Sequence, residues 1–278
     1  MEINPIAYFR SPFGEKFGIP RQAGLAPGLR GRVVFEPPYR SADALRGLSG
    51  FDYLWLLWGF SANIPQSGAG PACSGGSTAS LRSAPPLASQ SDAPVPPLNV
   101  PRVAVVSPSG QAGPTWKATV RPPRLGGNAR VGVFASRSPF RPNPLGLSSV
   151  RLESIDYDAK GPDGKPLGPV INVLGADLMD GTPIYDIKPY IEYADSHPGV
   201  RSGFVDTTVW EPLEVVFPAG AESKVEDLDT LRDILSLDPR PPYHDDPTKE
   251  YTMSYGRREI RFRVEGQVLI VNDILVII

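Results

Sequence analysis

Cysteine and histidine are nearly missing from this chain: one cysteine, Cys73, and two histidines, His197 and His244, in 278 residues. A lone cysteine excludes an intramolecular disulfide framework and argues against a thiolate metal site. The histidines lie far apart in sequence without metal-ligand spacing, so no metal is expected. No apolar run approaches the ~20 residues of a membrane-spanning helix, and residues 1–10 carry no secretory apolar region. A cytoplasmic protein without membrane contact is the resulting expectation. Neither sign of charge dominates, with a net charge of −2 and a pI of about 5.8. No global basic field therefore announces nucleic acid, although a local basic face remains open. The chain also lacks a G-x-G-x-x-G turn between strand and helix, a phosphate-binding P-loop, a G-x-S-x-G elbow and an H-E-x-x-H helix. A doubly wound nucleotide-binding domain is thereby excluded.

Proline and glycine are plentiful, 33 and 28 residues. They punctuate the chain into short candidate strands: 3–9, 31–35, 53–60, 118–121, 130–135, 148–157, 170–176 and 209–217. The run Phe51–Phe60, FDYLWLLWGF, reads as a strand buried on both faces. Asp163-Gly164 signals a hairpin, and a short helix is expected over 42–48 with Ser41 as its cap. Regular strand spacing with few helices predicts a mainly β protein, a closed antiparallel barrel over 1–217. Within it, residues 64–114 are mostly Ser, Pro, Gly and Ala, a composition too poor in apolar surface to offset ordering entropy, and read as a disordered insertion. After Pro218 a helical period appears over 221–237. Strands over 251–255, 259–264 and 267–277 then complete a small α+β C-terminal domain, 218–278.

Three segments carry chemistry. In RPPRLGGNARVGVFASRSPFRPNPLGL (121–147), Arg121, Arg124, Arg130, Arg137 and Arg141 have no acid among them. Uncompensated guanidinium forks on a stiff scaffold suit phosphate recognition, the alternative being a solvated basic face. Phe140, Tyr185 and Tyr190 are candidate stacking surfaces, while Phe134 is expected in the core. The loop through Pro20–Leu25 is irregular but pinned by Pro20 and Gly24, as a binding loop would be. The third segment is DGTPIYDIKPY (180–190), with two acids, a lysine and two tyrosines stiffened by Pro183 and Pro189. It reads as the rim of a ligand site, or as a buried turn whose acids cap backbone amides.

PRQAG (20–24), ADALRGL (42–48), the 121–148 arginine segment, DGTPIYDIKPY (180–190) and DPRPPY (238–243) together resemble the tRNA adenine-N6-methyltransferase family TrmO, also called TsaA-like or YaeB-like. The resemblance covers most of 1–217 outside the insertion and reaches into the C-terminal domain. It implies a non-Rossmann β-barrel that uses S-adenosylmethionine, acts as a homodimer, and methylates N6 of threonylcarbamoyl-adenosine at position 37 in the tRNA anticodon arm. It assigns cofactor contacts to Gln22, Ala23, Gly24, Ser61, Ala62, Arg137, Leu147, Leu178, Met179, Asp180, Gly181 and Thr182. The family usually has a histidine where this chain has Ser61, so a tRNA-binding barrel that has lost turnover stands as the alternative.

Methyl transfer to an adenine amino nitrogen needs alignment, exclusion of water and removal of the N6 proton. Asp186 and Asp180 are the candidate bases, with Tyr190 and Lys188 as orienting groups. Arg121, Arg124, Arg130 and Arg141 are expected on tRNA phosphates, and the cluster Arg257, Arg258, Arg261 and Arg263 either shares the tRNA or forms a hairpin face neutralised by Glu259 and Glu265.

Overall fold

The computed structural model describes residues 3–60, 116–122, 129–208, 210–241, 244 and 246–277. The insertion read over 64–114, with Cys73, lies outside the described residues. The strands in chain order are β1 (Ala7–Arg10), β2 (Arg30–Phe35), β3 (Tyr53–Gly59), β4 (Thr119–Val120), β5 (Val131–Gly132), β6 (Leu145–Lys160), β7 (Pro166–Leu174), β8 (Pro183–Pro189), β9 (Glu214–Val216), β10 (Tyr251–Tyr255), β11 (Arg258–Glu265) and β12 (Val268–Val276). β1-β2-β7-β6-β3-β8 close into an antiparallel barrel, and β10-β11-β12-β9 form a second sheet. The mainly β architecture is thus the expected one. Among the described residues no helix is long and apolar enough to cross a membrane.

The barrel is filled by alternate residues of each strand. Leu54, Leu56 and Trp58 of β3 point inward beside Val33, Phe35, Val150, Ile171, Val173 and Ile184. The run Phe51–Phe60 is therefore buried on one face only, with Tyr53 46% exposed. Its outward aromatics belong to a barrel wall rather than to a two-sided core. Gly146 lies opposite Trp58 in the β3–β6 ladder. A Cβ there would stand 2.3 Å from the indole, so the ring occupies the space a side chain would need.

Several local expectations are corrected. Residues 183–189, read as a stiff turn or rim, form β8, the strand that closes the barrel against both β1 and β3. Its two prolines stand at its ends, where a missing amide is tolerated. The helix over 42–48 is a 3-10 turn, Ala42–Leu45, and the Ser41 side chain does not cap it. Its few residues bury only Leu45, too little apolar surface to support a longer helix. Phe134 is 72% exposed rather than in the core, because β5 ends at Gly132 and the chain turns into a 3-10 segment. The helix expected over 221–237 is regular only over Leu228–Ser236, with Asp227 as its cap.

The second sheet packs on that helix around Leu231, Ile234, Leu235, Ile260, Phe262 and Leu269. A division after residue 217 puts β9 on the barrel's side, whereas β9 pairs in parallel with β12 of the second sheet. Phe13, Ala26 and Leu29, from the loop between β1 and β2, are also buried in this second core. The Phe13 ring meets Tyr255 edge-on at 5.5 Å, and Phe17 stacks on Phe262 at 6.3 Å. The loop thus lies on the barrel while its side chains are held by the C-terminal sheet.

The close approach at β3–β6 makes a direct prediction. Gly146→Ala overpacks the Trp58 ring and lowers stability by about 1–3 kcal/mol. Urea unfolding measures the loss; an unchanged midpoint would show that the indole moves aside freely.

Candidate functional site

The loop between β1 and β2 delivers Gln22, Ala23 and Gly24 to one end of the barrel. Gly24 has φ +82°, the left-handed region that favours glycine, and its N–H donates to the Gly175 carbonyl at 2.8 Å, just beyond β7. Arg137 reaches the same place from the arginine segment and donates to Gln22 Oε1. Two segments far apart in sequence therefore converge.

Asp177, which sequence reasoning passed over, lies at their meeting point. It follows the apolar strand β7 by three residues and is half-buried. Ser148 Oγ donates to its Oδ1 at 2.6 Å, and Trp58 Nε1 donates to Ser148 Oγ at 2.9 Å. Desolvation pushes the Asp177 carboxyl above the usual carboxylate range, against the opposing pull of the Ser148 hydroxyl, the Arg137 charge and the Ala23 amide. The available signal was one acid at the end of an otherwise apolar run, VINVLGADL.

Leu178 is buried and anchors the next turn. Met179 O accepts from Thr182 N–H at 3.2 Å and from Thr182 Oγ1 at 2.8 Å. Gly181, at φ +76°, donates its N–H to Phe9 O at 2.8 Å, and Asp180 N–H donates to Phe13 O at 2.8 Å. The Asp180 carboxylate accepts from Ser11 N–H at 3.1 Å and pairs with Arg10 at 3.5 Å. Asp180 therefore caps the backbone after β1, the role read as the alternative for this turn.

Asp186, Lys188 and Tyr190 stand apart from that turn, along β8 and just beyond it. Asp186 pairs with Lys188 Nζ at 2.9 Å and accepts from Ile187 N–H at 2.9 Å. Asp186 lies across from Leu57, which lies across from Leu147 of β6. The three share one row, and residues opposed in a ladder share a face. Leu147 is 55% exposed and so lies with Asp186 on the outer face, whereas its chain neighbour Ser148, the partner of Asp177, is buried and points inward. Tyr190 packs against Tyr53 and Trp55 at 6.1 and 5.7 Å. Tyr185 covers Gly59, where a Cβ would lie 2.8 Å from the ring.

Among the described residues, Arg121, Arg130 and Arg137 take part in no ion pair. Arg130 Nη1 donates to Thr119 Oγ1 at 2.9 Å. Arg141 is turned inward, donating to Ser136 O at 2.7 Å and lying 5.7 Å from the Phe134 ring centre; it braces the segment it was expected to extend from. Lys117 lies over Phe140 at 4.7 Å. Ser61, Ala62 and Arg124 lie outside the described residues. In the C-terminal sheet Arg261 pairs with Glu259 and Arg263 with Glu265, both at 2.7 Å, which favours the neutralised hairpin face. Arg21, next to Gln22, donates to the carbonyls of Asp238 and Arg240 at 3.2 and 3.3 Å, tying residues 238–240 to the loop between β1 and β2.

Fold and geometry define a closed β-barrel protein with a polar cluster at one end, outside the nucleotide-binding α/β classes. The family model of the tRNA-methyltransferase O N-terminal domain matches residues 8–86 and 101–196, and that of the TrmO C-terminal domain matches 210–277. The tRNA (adenine(37)-N6)-methyltransferase of Escherichia coli is 33% identical over 95% of this chain and 93% of its own length. A Pseudomonas aeruginosa protein named for S-adenosylmethionine-dependent methyl transfer is 32% identical over 90% of this chain and 86% of its own. The crystal structure of TrmO from Pseudomonas aeruginosa superposes with a TM-score of 0.64 at 25% identity, covering 98% of this chain and 97% of that one. The chain belongs to the TrmO family of tRNA methyltransferases.

The raised Asp177 carboxyl has a consequence for stability. The folded state binds more protons than the unfolded chain between the ordinary carboxyl value of 3.8 and the higher folded one. Stability contributed by this group therefore falls as pH rises through that window and stays lower above it. Asp177→Asn removes the dependence. In urea unfolding across a pH series, wild type should lose stability relative to the variant through the window and then level off. A wild-type-minus-variant difference that stays flat with pH would contradict a desolvated carboxylate.

Proposed function

We propose that this chain transfers the methyl group of S-adenosylmethionine to N6 of adenosine 37 in tRNA, and that the threonylcarbamoyl-modified base is the form it accepts. The observation that carries this reading is the meeting of Gln22, Ala23 and Arg137 around Asp177 at one barrel end in a chain of the TrmO family. A guanidinium, a side-chain amide, a backbone amide and a desolvated carboxylate in one place fit a ligand with both a carboxylate and a positive charge. Arg137 would hold the amino-acid carboxylate of the cofactor. Gln22 to Gly24, Leu147 and the turn Leu178–Thr182 would hold the rest. When bound, the cofactor supplies an electrophilic methyl carbon.

The chain's own residues align and deprotonate. Asp186, on the Leu147 face, takes the N6 proton on its carboxylate, with Lys188 orienting it. Asp180 keeps the turn in place through Ser11 and Arg10. Tyr190, with Tyr53 and Trp55, offers an aromatic surface beside the base. Arg121 and Arg130 contact phosphates of the anticodon arm. The protein acts as a homodimer without a metal, and a tRNA substrate suits the cytoplasmic location.

The deciding experiment is methylation of threonylcarbamoylated tRNA with labelled S-adenosylmethionine. Incorporation at N6 of adenosine 37 is expected; tRNA binding without incorporation would favour the non-catalytic reading. Asp186→Ala should lower turnover by roughly 10²–10⁴-fold with cofactor affinity kept, and full turnover in that variant would exclude it as the base. Arg130→Ala should weaken tRNA binding and reduce the slope of log K against log salt by about one. An unchanged slope in a binding titration would remove Arg130 from the phosphate contacts.

A further inference from the structure

We infer that the Asp177 carboxylate is the counter-charge for the sulfonium of the bound cofactor, an inference that rests on the S-adenosylmethionine reading above. Four observations carry it. The carboxylate is fixed, because Ser148 Oγ holds Oδ1 at 2.6 Å and is itself held by the buried indole of Trp58. It is poorly hydrated, at the end of the barrel core beside Leu178 and Ala176. Among the described residues it has no ion-pair partner, and Arg137, the cation whose field it feels, is engaged on Gln22. It also lies among the residues assigned to the cofactor.

A carboxylate in such a place is costly unless a positive charge joins it. Hydrogen bonding alone does not require the charge, since an asparagine oxygen would accept from Ser148 and Ala23 equally well at no penalty of this kind. The sulfonium suits the site chemically: it carries a positive charge and no N–H or O–H. It needs a fixed negative group and makes no demand on the lone pairs that Ser148 and Ala23 already occupy. The α-ammonium is the other positive group of the cofactor, and it is carried unchanged by S-adenosylhomocysteine, so comparing the two ligands separates it from the sulfonium. Methyl transfer turns the sulfonium into a neutral thioether, the positive charge leaving with the methyl and then, as a proton, from N6. The pairing with Asp177 ends at that moment, which favours release of the product.

The test is calorimetric titration of wild type and Asp177→Asn with S-adenosylmethionine and, separately, with S-adenosylhomocysteine, which differs in lacking the methyl and the sulfur charge. The variant is expected to bind S-adenosylmethionine roughly ten- to a hundredfold more weakly and S-adenosylhomocysteine within about twofold of wild type. Equal losses for the two ligands, or no loss for either, would overturn the inference. If Asp177→Asn does not fold by circular dichroism, Asp177→Ser, which keeps a small polar group, takes its place under the same criterion. Wild type that binds neither ligand would overturn the cofactor reading itself, and that result appears in the wild-type titrations alone.

Discussion

Everything at the ligand end of the barrel hangs on a few backbone hydrogen bonds between the first strand and the turn before β8. Phe9 N–H to Thr182 O, Gly181 N–H to Phe9 O and Asp180 N–H to Phe13 O, each 2.8 Å, join the two segments before β8 pairs with β3. A six-stranded antiparallel sheet without that junction would leave two open edges. With it, the edges vanish and the loop following β1 is thrown across the barrel end, where Gln22 meets Arg137. Closure and the start of the loop's path share these bonds, made by backbone groups that any residue could supply. Only Gly181, with its left-handed backbone, is specific in kind.

Much of this could be read from residue order. Turn dipeptides and strand spacing indicate an antiparallel barrel, and the family resemblance assigns Gln22 and Arg137 to one cofactor, but the hydrogen bond between them is visible only in the structure. The 180–190 stretch misleads because its prolines and acids mask a strand of seven residues. Strand prolines are compatible with strand ends, and Asp186 with an outward position. Phe134 misleads in the other direction, an aromatic in an apolar run that the 3-10 turn swings into solvent. Asp177 escapes notice because its meaning is wholly tertiary. Nothing in GADL announces that Ser148, a strand away, has an inward hydroxyl already held by an indole.

The arginine segment shows a division of labour that composition conceals. Arg141 closes on carbonyl oxygens of its own segment, Arg137 reaches a neighbouring loop, and Arg130 touches a threonine on the paired short strand. A set that looks uniform in sequence thus contains a brace, a bridge to a neighbouring loop and an outward charge. The acids divide in the same way: Asp180 serves the backbone, Asp186 faces outward with Lys188, and Asp177 accepts from Ser148 where desolvation pushes its carboxyl up.

The loop between β1 and β2 sends Phe13, Ala26 and Leu29 into a core otherwise made by the helix Leu228–Ser236 and the final sheet. On a ribosome these partners are synthesised after every strand of the barrel. A nascent chain with every barrel strand already made would still carry Phe13 and its neighbours without their core. The loop would keep its backbone bonds to the barrel but lack its apolar anchorage until β12 emerged and paired with β9. The order of synthesis therefore delays the loop's full support until the second sheet is present, and a nascent barrel could close before its loop was packed.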